Sequence, residues 1–202
     1  SIMAIGRPKH STVARLPIDK ELHETLLMYV NQQVVKDSIA DKLTKAYTIL
    51  HHTGMRASEL LQIDIGMILD AIKNAKFSLN NKTKTKKTRL IILTKNGVFD
   101  FKSLFEMEYD ESSNRAEKIF KKKNAGPLNK QAFLQLLNNN IKKSLGNLYS
   151  SHSYRQAYCT DLLKVAPASQ VARLVGHANV QTTLRYDFNT ESDLLATLEK
   201  VR

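Results

Sequence analysis

Two short stretches and one corner of the sequence hold side chains able to act together on a phosphate ester. The corner is the run LVGHANVQTTLRY, Leu174 to Tyr186, which pairs a glycine-histidine step at Gly176 and His177 with a tyrosine one short helix later. Tyr186 is the candidate nucleophile. A phenol with a reference pKa near 10 attacks poorly unless a base removes its proton and cations stabilise the charge that builds up on the attacked group. HHTGMRASEL (His51 to Leu60) supplies Arg56, and SHSYRQAYCTDLL (Ser151 to Leu163) supplies His152 and Arg155. A guanidinium is always charged and matches phosphate oxygens two at a time, so Arg56 and Arg155 suit a phosphodiester transition state. His152 and His177 can add hydrogen bonds to the same oxygens or take the phenol proton. Glu59 lies three residues after Arg56, where it orients Arg56 or packs at the helix.

The elements that must position these groups follow from periodicity and end signals. After Pro17, Asp19 caps a helix with Leu22, Leu26, Tyr29 and Val30 on one face, and Asp37 or Ser38 opens a second that ends at Thr53 and Gly54. Met55 to Ile63 reads as a short helix with Arg56 in its first turn, beside free backbone N–H groups. Lys76 to Leu79 and Thr88 to Leu93 read as two strands around the polar tip NNKTKTKKT. Asn129 opens a helix to about Ser144, ended by Gly146. Ser150 or Ser151 caps the next, which places His152 and Arg155 on one face and continues through Leu162, Leu163 and Val165 into the core. Ala168 to Val175 forms a short helix, Asn179 to Tyr186 another element, and Leu194, Leu195, Leu198 and Val201 an amphipathic tail. His51 and His52 are read as structural, and the acidic group at Glu106, Glu108, Asp110 and Glu111 as solvated surface.

Charge narrows the partner. The 202 residues carry 31 Lys and Arg against 19 Asp and Glu, a formal net charge of +12, which points to a polyanion. From Ala71 to Phe99 there is no acid, while Lys73, Lys76, Lys82, Lys84, Lys86, Lys87, Arg89 and Lys95 are basic. Arg7, Lys9, His10 and Arg15 make residues 1–17 a basic arm or interdomain linker. No run approaches the ~20 apolar residues of a spanning helix, which favours nucleic acid over a membrane. Cys159 is the only cysteine, so no internal disulfide framework forms, and a reducing, cytoplasmic or other DNA-containing compartment is expected. Neither a Walker loop nor a G-x-G-x-x-G turn is present, and no carboxylate or zinc cluster stands out, so no cofactor and no metal are expected.

An arginine after a T-G turn, then H-x-x-R, then G-H followed by a tyrosine is a pattern that resembles the tyrosine recombinase (phage integrase) family, and it spans about Ala40 to Phe188 in that order. Tyr154 and Gln156 depart from the family's common H-x-L-R-H, and Asp187 and Phe188 replace a frequent Thr-His, leaving the functional types in place. The resemblance implies an α+β catalytic domain, mainly α-helical with a small antiparallel β-sheet, over residues 18–202. It implies cleavage and rejoining of double-stranded DNA at a specific site through a 3′-phosphotyrosyl intermediate, without ATP. It also implies a hairpin lysine as general acid, which counting back from Arg89 places at Lys84, with Lys86 as fallback because Thr83 and Thr85 stand where glycines are frequent. Arg7, Lys9, Lys82, Lys86, Lys87 and Arg89 are expected to contact DNA. The family's N-terminal core-binding domain is expected to be absent, giving a monomer alone and a homotetramer on DNA. The tail, about 189–202, packs on a neighbouring protomer in such proteins, with packing on its own domain the alternative. Two other classes remain open: a DNA-binding module that has lost catalysis, and a type IB topoisomerase-like nicking and closing enzyme.

Overall fold

Helix α2 (Asp37–Thr53) is the spine of the molecule, because side chains on several of its faces are buried, among them Leu43, Ala46, Tyr47, Ile49 and Leu50. A computed structural model of the chain describes residues 15–80, 88–122, 124, 126–175 and 191–202. Helix α1 (Lys20–Gln33) precedes it, started by the Asp19 carboxylate accepting the Leu22 N–H at 2.9 Å. Leu26 and Val30, four residues apart on α1, are fully buried. Residues 15–18 are tied to the far end of the chain: Leu16 N–H donates to the Leu148 carbonyl and Ile18 N–H to the Ser153 carbonyl.

Past α2, Ala57–Gln62 is a 3₁₀ helix and not the α-helix expected from Met55, so Arg56 sits just outside it in extended backbone. Helix α3 (Ile65–Asn74) follows, capped by Asp64 accepting from Met67 N–H at 2.9 Å. Strands β1 (Lys76–Asn80) and β2 (Thr88–Ile92) pair antiparallel with Leu79 opposite Arg89, as the strand reading placed them. Helix α4 (Lys95–Phe105), which the periodicity reading left unassigned along with α3, is capped by Thr94 and buries Phe101 and Phe105 one turn apart. Helix α5 (Lys130–Leu145) starts on an Asn129 side-chain cap and ends at Gly146, as its signals indicated.

Helix α6 (His152–Leu163) begins after Ser151, but neither serine before it caps by its side chain. Ser151 itself is helical, and its N–H is taken by Asn138 Oδ1 at 2.8 Å, while Ser150 N–H donates to Ser153 Oγ at 3.0 Å. Leu162 is buried, yet Leu163 and Val165 are 52% and 41% exposed, so the inward stripe is narrower than expected. Helix α7 is Ala168–Val175 and α8 is Glu191–Val201.

Among the described residues two apolar clusters result. The larger joins α1 to α5 with Tyr154 of α6; the smaller holds Ile92, Tyr158, Leu162, Ala166, Val171, Val175 and Leu198. In the single chain α8 packs on its own domain through Leu198, and Arg202 just beyond it bonds Asp161 Oδ2 at 2.8 Å. No helix among the described residues is long and apolar enough to cross a membrane.

Candidate active site

The corner after α2 is built around a glycine. Gly54 has φ +62, and a Cβ there would lie 2.5 Å from two ring carbons of Tyr158. A side chain is excluded both by the left-handed backbone and by the ring. The tight approach lets the Gly54 carbonyl accept Nη1 of Arg155 at 2.9 Å, which binds α6 to the corner two residues before Arg56. The second nitrogen, Nη2, donates to the Val175 carbonyl at 2.5 Å, at the last residue of α7. Arg155 is only 3% exposed, whereas Arg56 and His152 are open to solvent.

The bond of Arg155 to Gly54 therefore ties α6 to the corner that carries Arg56, and the two guanidiniums, far apart in sequence, act on each other's charge. Burial, then the charges of Arg56 and Arg89, push the Arg155 guanidinium down to about 10, still cationic at neutral pH. Burial, followed by Arg155 and Arg56, also lowers the His152 imidazole. A neutral ring at pH 7 has a free lone pair, as a proton acceptor requires. Among the described residues the surplus is positive: the guanidiniums of Arg56, Arg89 and Arg155 act on one another, with Glu59 the carboxylate that offsets them. Such a site favours an anion.

Glu59 is 4% exposed and does not pair with the Arg56 guanidinium. Its Oε1 accepts the Arg56 backbone N–H at 2.8 Å and, more loosely, Arg89 Nη2 at 3.4 Å. Glu59 thus fixes the Arg56 backbone, and the side chain is left free to reach outward. Arg89, expected among the DNA contacts, is held inside the domain. It is 6% exposed, and its Nη1 donates to the Val175 carbonyl. The signal was present in the strand, because Arg89 and Ile91 share one face of β2 and Ile91 is buried, while Thr88 is exposed.

Tyr186, His177, Lys84 and its fallback Lys86, and the expected DNA contacts Arg7, Lys9, Lys82 and Lys87 lie outside the described residues. Two described tyrosines near the corner, Tyr154 and Tyr158, make poor nucleophiles. Tyr154 is fully buried with its ionisation pushed far up, and burial raises Tyr158 to about 12. His51 and His52 are structural, as read: His51 stacks on His23 at 4.2 Å, and His52 Nε2 bonds Asp100 at 2.7 Å. Among the described residues no cluster of His, Cys, Asp or Glu is arranged to hold a metal ion.

A mainly helical domain with a small two-stranded antiparallel sheet is the architecture of tyrosine recombinase catalytic domains. The chain belongs to the Phage integrase family, whose model matches residues 18–192. It is 26% identical over 198 residues to tyrosine recombinase XerD of Staphylococcus saprophyticus, covering 94% of this chain and 63% of that protein. It is also 26% identical over 173 residues to Transposase B from transposon PsiTn554 of Staphylococcus aureus, covering 82% of this chain and 27% of the relative. The chain therefore spans less than two thirds of either curated relative. Among solved structures, the integrase from mycobacterium phage Brujita superposes with a TM-score of 0.66 at 18% identity, covering 98% of this chain and 62% of that one. XerH recombinase bound to its difH substrate superposes with a TM-score of 0.58 at 22% identity, covering 81% and 48%. At these identities the structural likeness establishes the fold.

Proposed function

We propose that residues 18–202 form the catalytic domain of a site-specific DNA recombinase, with residues 1–17 as a basic arm. Tyr186 Oη attacks a backbone phosphorus, the bond to the 5′ oxygen breaks, and a 3′-phosphotyrosyl ester remains. The phenol proton passes to a neutral imidazole, His152 or His177, and the leaving 5′ oxygen takes a proton from Lys84, or from Lys86 if the hairpin is offset. A 5′ hydroxyl from another strand reverses the step onto a new partner. One phosphoester replaces another at each stage, so ATP is not consumed. Arg56 and Arg155 hold the non-bridging oxygens and stabilise the charge they gain in the transition state. The work a metal ion does in other phosphoryl-transfer sites falls to guanidiniums here.

The observation that supports this reading is the bond of Arg155 to the Gly54 corner, two residues from Arg56, with both guanidiniums lowering the exposed His152 imidazole. The net charge of +12 fits a DNA partner, and the DNA in the XerH structure makes duplex DNA the substrate to test first. We expect assembly to a homotetramer on DNA from monomers in solution.

The test needs no known target. The protein is incubated with a pool of nicked duplexes of random sequence, and protein–DNA adducts that survive denaturation are isolated and sequenced. Wild type is expected to yield adducts that Tyr186→Phe abolishes while DNA binding persists. Adducts that survive Tyr186→Phe, or none from the wild type, refute the assignment. Supercoil relaxation without strand exchange between duplexes would favour a topoisomerase-like enzyme.

A further inference from the structure

Arg89 is a buried cation on a β-strand with two partners on two other elements. Its Nη1 donates to the Val175 carbonyl at the end of α7, and its Nη2 reaches Glu59 Oε1, in the 3₁₀ helix, at 3.4 Å. The same Val175 oxygen accepts Arg155 Nη2 at 2.5 Å. Two guanidiniums converging on one neutral oxygen repel each other, so the arrangement needs compensation. Part comes from position, because the last carbonyls of a helix lack intrahelical donors and carry the negative end of its dipole. Part comes from Glu59. Yet Arg89 Nε and Glu59 Oε2 are both buried without a hydrogen-bond partner. Arg89 thus leaves the two-point pair with its carboxylate incomplete and spends a nitrogen on the backbone of α7 instead.

We propose that Arg89 is a positioning residue: with Arg155 it clamps the Val175 carbonyl and so fixes the end of α7, the point from which the chain runs directly into Gly176 and His177. This rests on the recombinase reading for its effect on rate, but the clamp itself does not. It explains why an arginine stands here. A fork of nitrogens reaches acceptors on two elements at once, whereas a lysine offers one nitrogen on a flexible stem. It also joins β2 to the end of α7 through a single side chain.

The test compares wild type with Arg89→Lys, which keeps the charge and removes the fork. Two readouts are taken: the carbonyl ¹³C resonance of Val175, which follows the donors that oxygen accepts, and single-turnover cleavage at saturating DNA, on a duplex recovered from the adduct pool. The expected result is a shifted Val175 resonance and a cleavage rate lower by at least about tenfold, since ~1 Å misplacements cost up to ~10²-fold. The DNA dissociation constant and its salt dependence stay as in wild type. An unmoved resonance overturns the clamp, and a wild-type rate at saturation overturns the positioning role even if the resonance moves. A raised DNA dissociation constant, with full rate at saturation, would instead make Arg89 a DNA contact, through the two-point phosphate grip that lysine lacks. Should Arg89→Lys not fold, Arg89→Met with Glu59→Gln removes both buried charges together and carries the same measurements. A wild type that forms no adduct refutes strand transfer and leaves the carbonyl resonance to decide the clamp.

Discussion

Replacing Gly54 with alanine should loosen the fold and the pocket together, and the structure gives the size of the effect. At φ +62 an L-residue costs about 1–2 kcal/mol relative to glycine. The added methyl would stand 2.5 Å from Cγ and Cδ1 of Tyr158 and 2.9 Å from its Cβ, and relieving such overpacking costs about 1–3 kcal/mol. Neither neighbour yields easily: the tyrosine is 4% exposed, and the Gly54 carbonyl is held by Arg155. The sum is about 2–5 kcal/mol, which for a domain of this size lowers the melting temperature by roughly 2–4 °C per kcal/mol. Equilibrium unfolding in guanidinium chloride measures the loss directly. A cycle with Tyr158→Ala, which removes the Cγ and Cδ1 that the methyl would meet, separates its parts, because most of the steric share appears as a coupling of about 1–3 kcal/mol between the two sites while the backbone share remains in both backgrounds. Changes that Tyr158→Ala causes elsewhere, including loss of its contact with Arg202, cancel in that cycle. A Gly54→Ala protein within about 0.5 kcal/mol of wild type, or a strictly additive cycle, would refute the account.

Other outcomes follow from the buried polar groups. Burial depresses His23 from 6.5 to about 3 and His51 further, so the unfolded chain binds protons that the folded one refuses. Stability is then complete above about pH 6.5 and falls toward pH 3, by ~2 kcal/mol per histidine at about pH 5. Denaturant titrations across that range should show it, and His23→Gln should flatten the slope; a flat profile in wild type would count against neutral histidines in the core. Arg202 is buried between Asp161, the His51 carbonyl and the Tyr158 ring. Its replacement by alanine should cost about 2–3 kcal/mol, since one partner of a largely buried pair is lost. Limited proteolysis should then cut at α8 before any other helix, and equal protection of α8 in both proteins would contradict that.

Much of the frame was readable from side-chain type and spacing because the deciding interactions are local. Asp19 and Asn129 cap the helices they precede, Gly54 takes the left-handed turn, and α7 runs over the residues its pattern marked. Arg56, His152 and Arg155 were identifiable by type and order, and their convergence was an expectation that only the packing of α6 on α2 could meet. What escaped depends on nonlocal partners. Ser151 looks like a cap, but its N–H is claimed by Asn138 on the preceding helix and its backbone is already helical. Helix α3 opens with an Ile-Gly-Met run and α4 carries Gly97 in its first turn, so both read weakly until their apolar faces find the core. Arg89 was read among the DNA contacts because a basic strand beside a lysine-rich tip resembles a phosphate-binding surface, and its burial, which follows from strand alternation, was not read. The most consequential acceptor in the pocket, the Val175 carbonyl, belongs to the backbone and has no signature in residue type.

Helix α6 spans the boundary between the two apolar clusters, with Tyr154 in the larger and Tyr158 and Leu162 in the smaller. Arg155 lies between those anchors, so the pocket sits on a seam between units of unequal size. Among the described residues seven make up the buried part of the smaller unit, far fewer than in the larger. Its opening free energy is accordingly lower, and amides of α7 and α8 should exchange with solvent through partial openings that leave α2 and α5 protected. Occupancy of the pocket by an anion would close that gap, because a ligand held from both sides of a seam slows the exchange of the weaker side first.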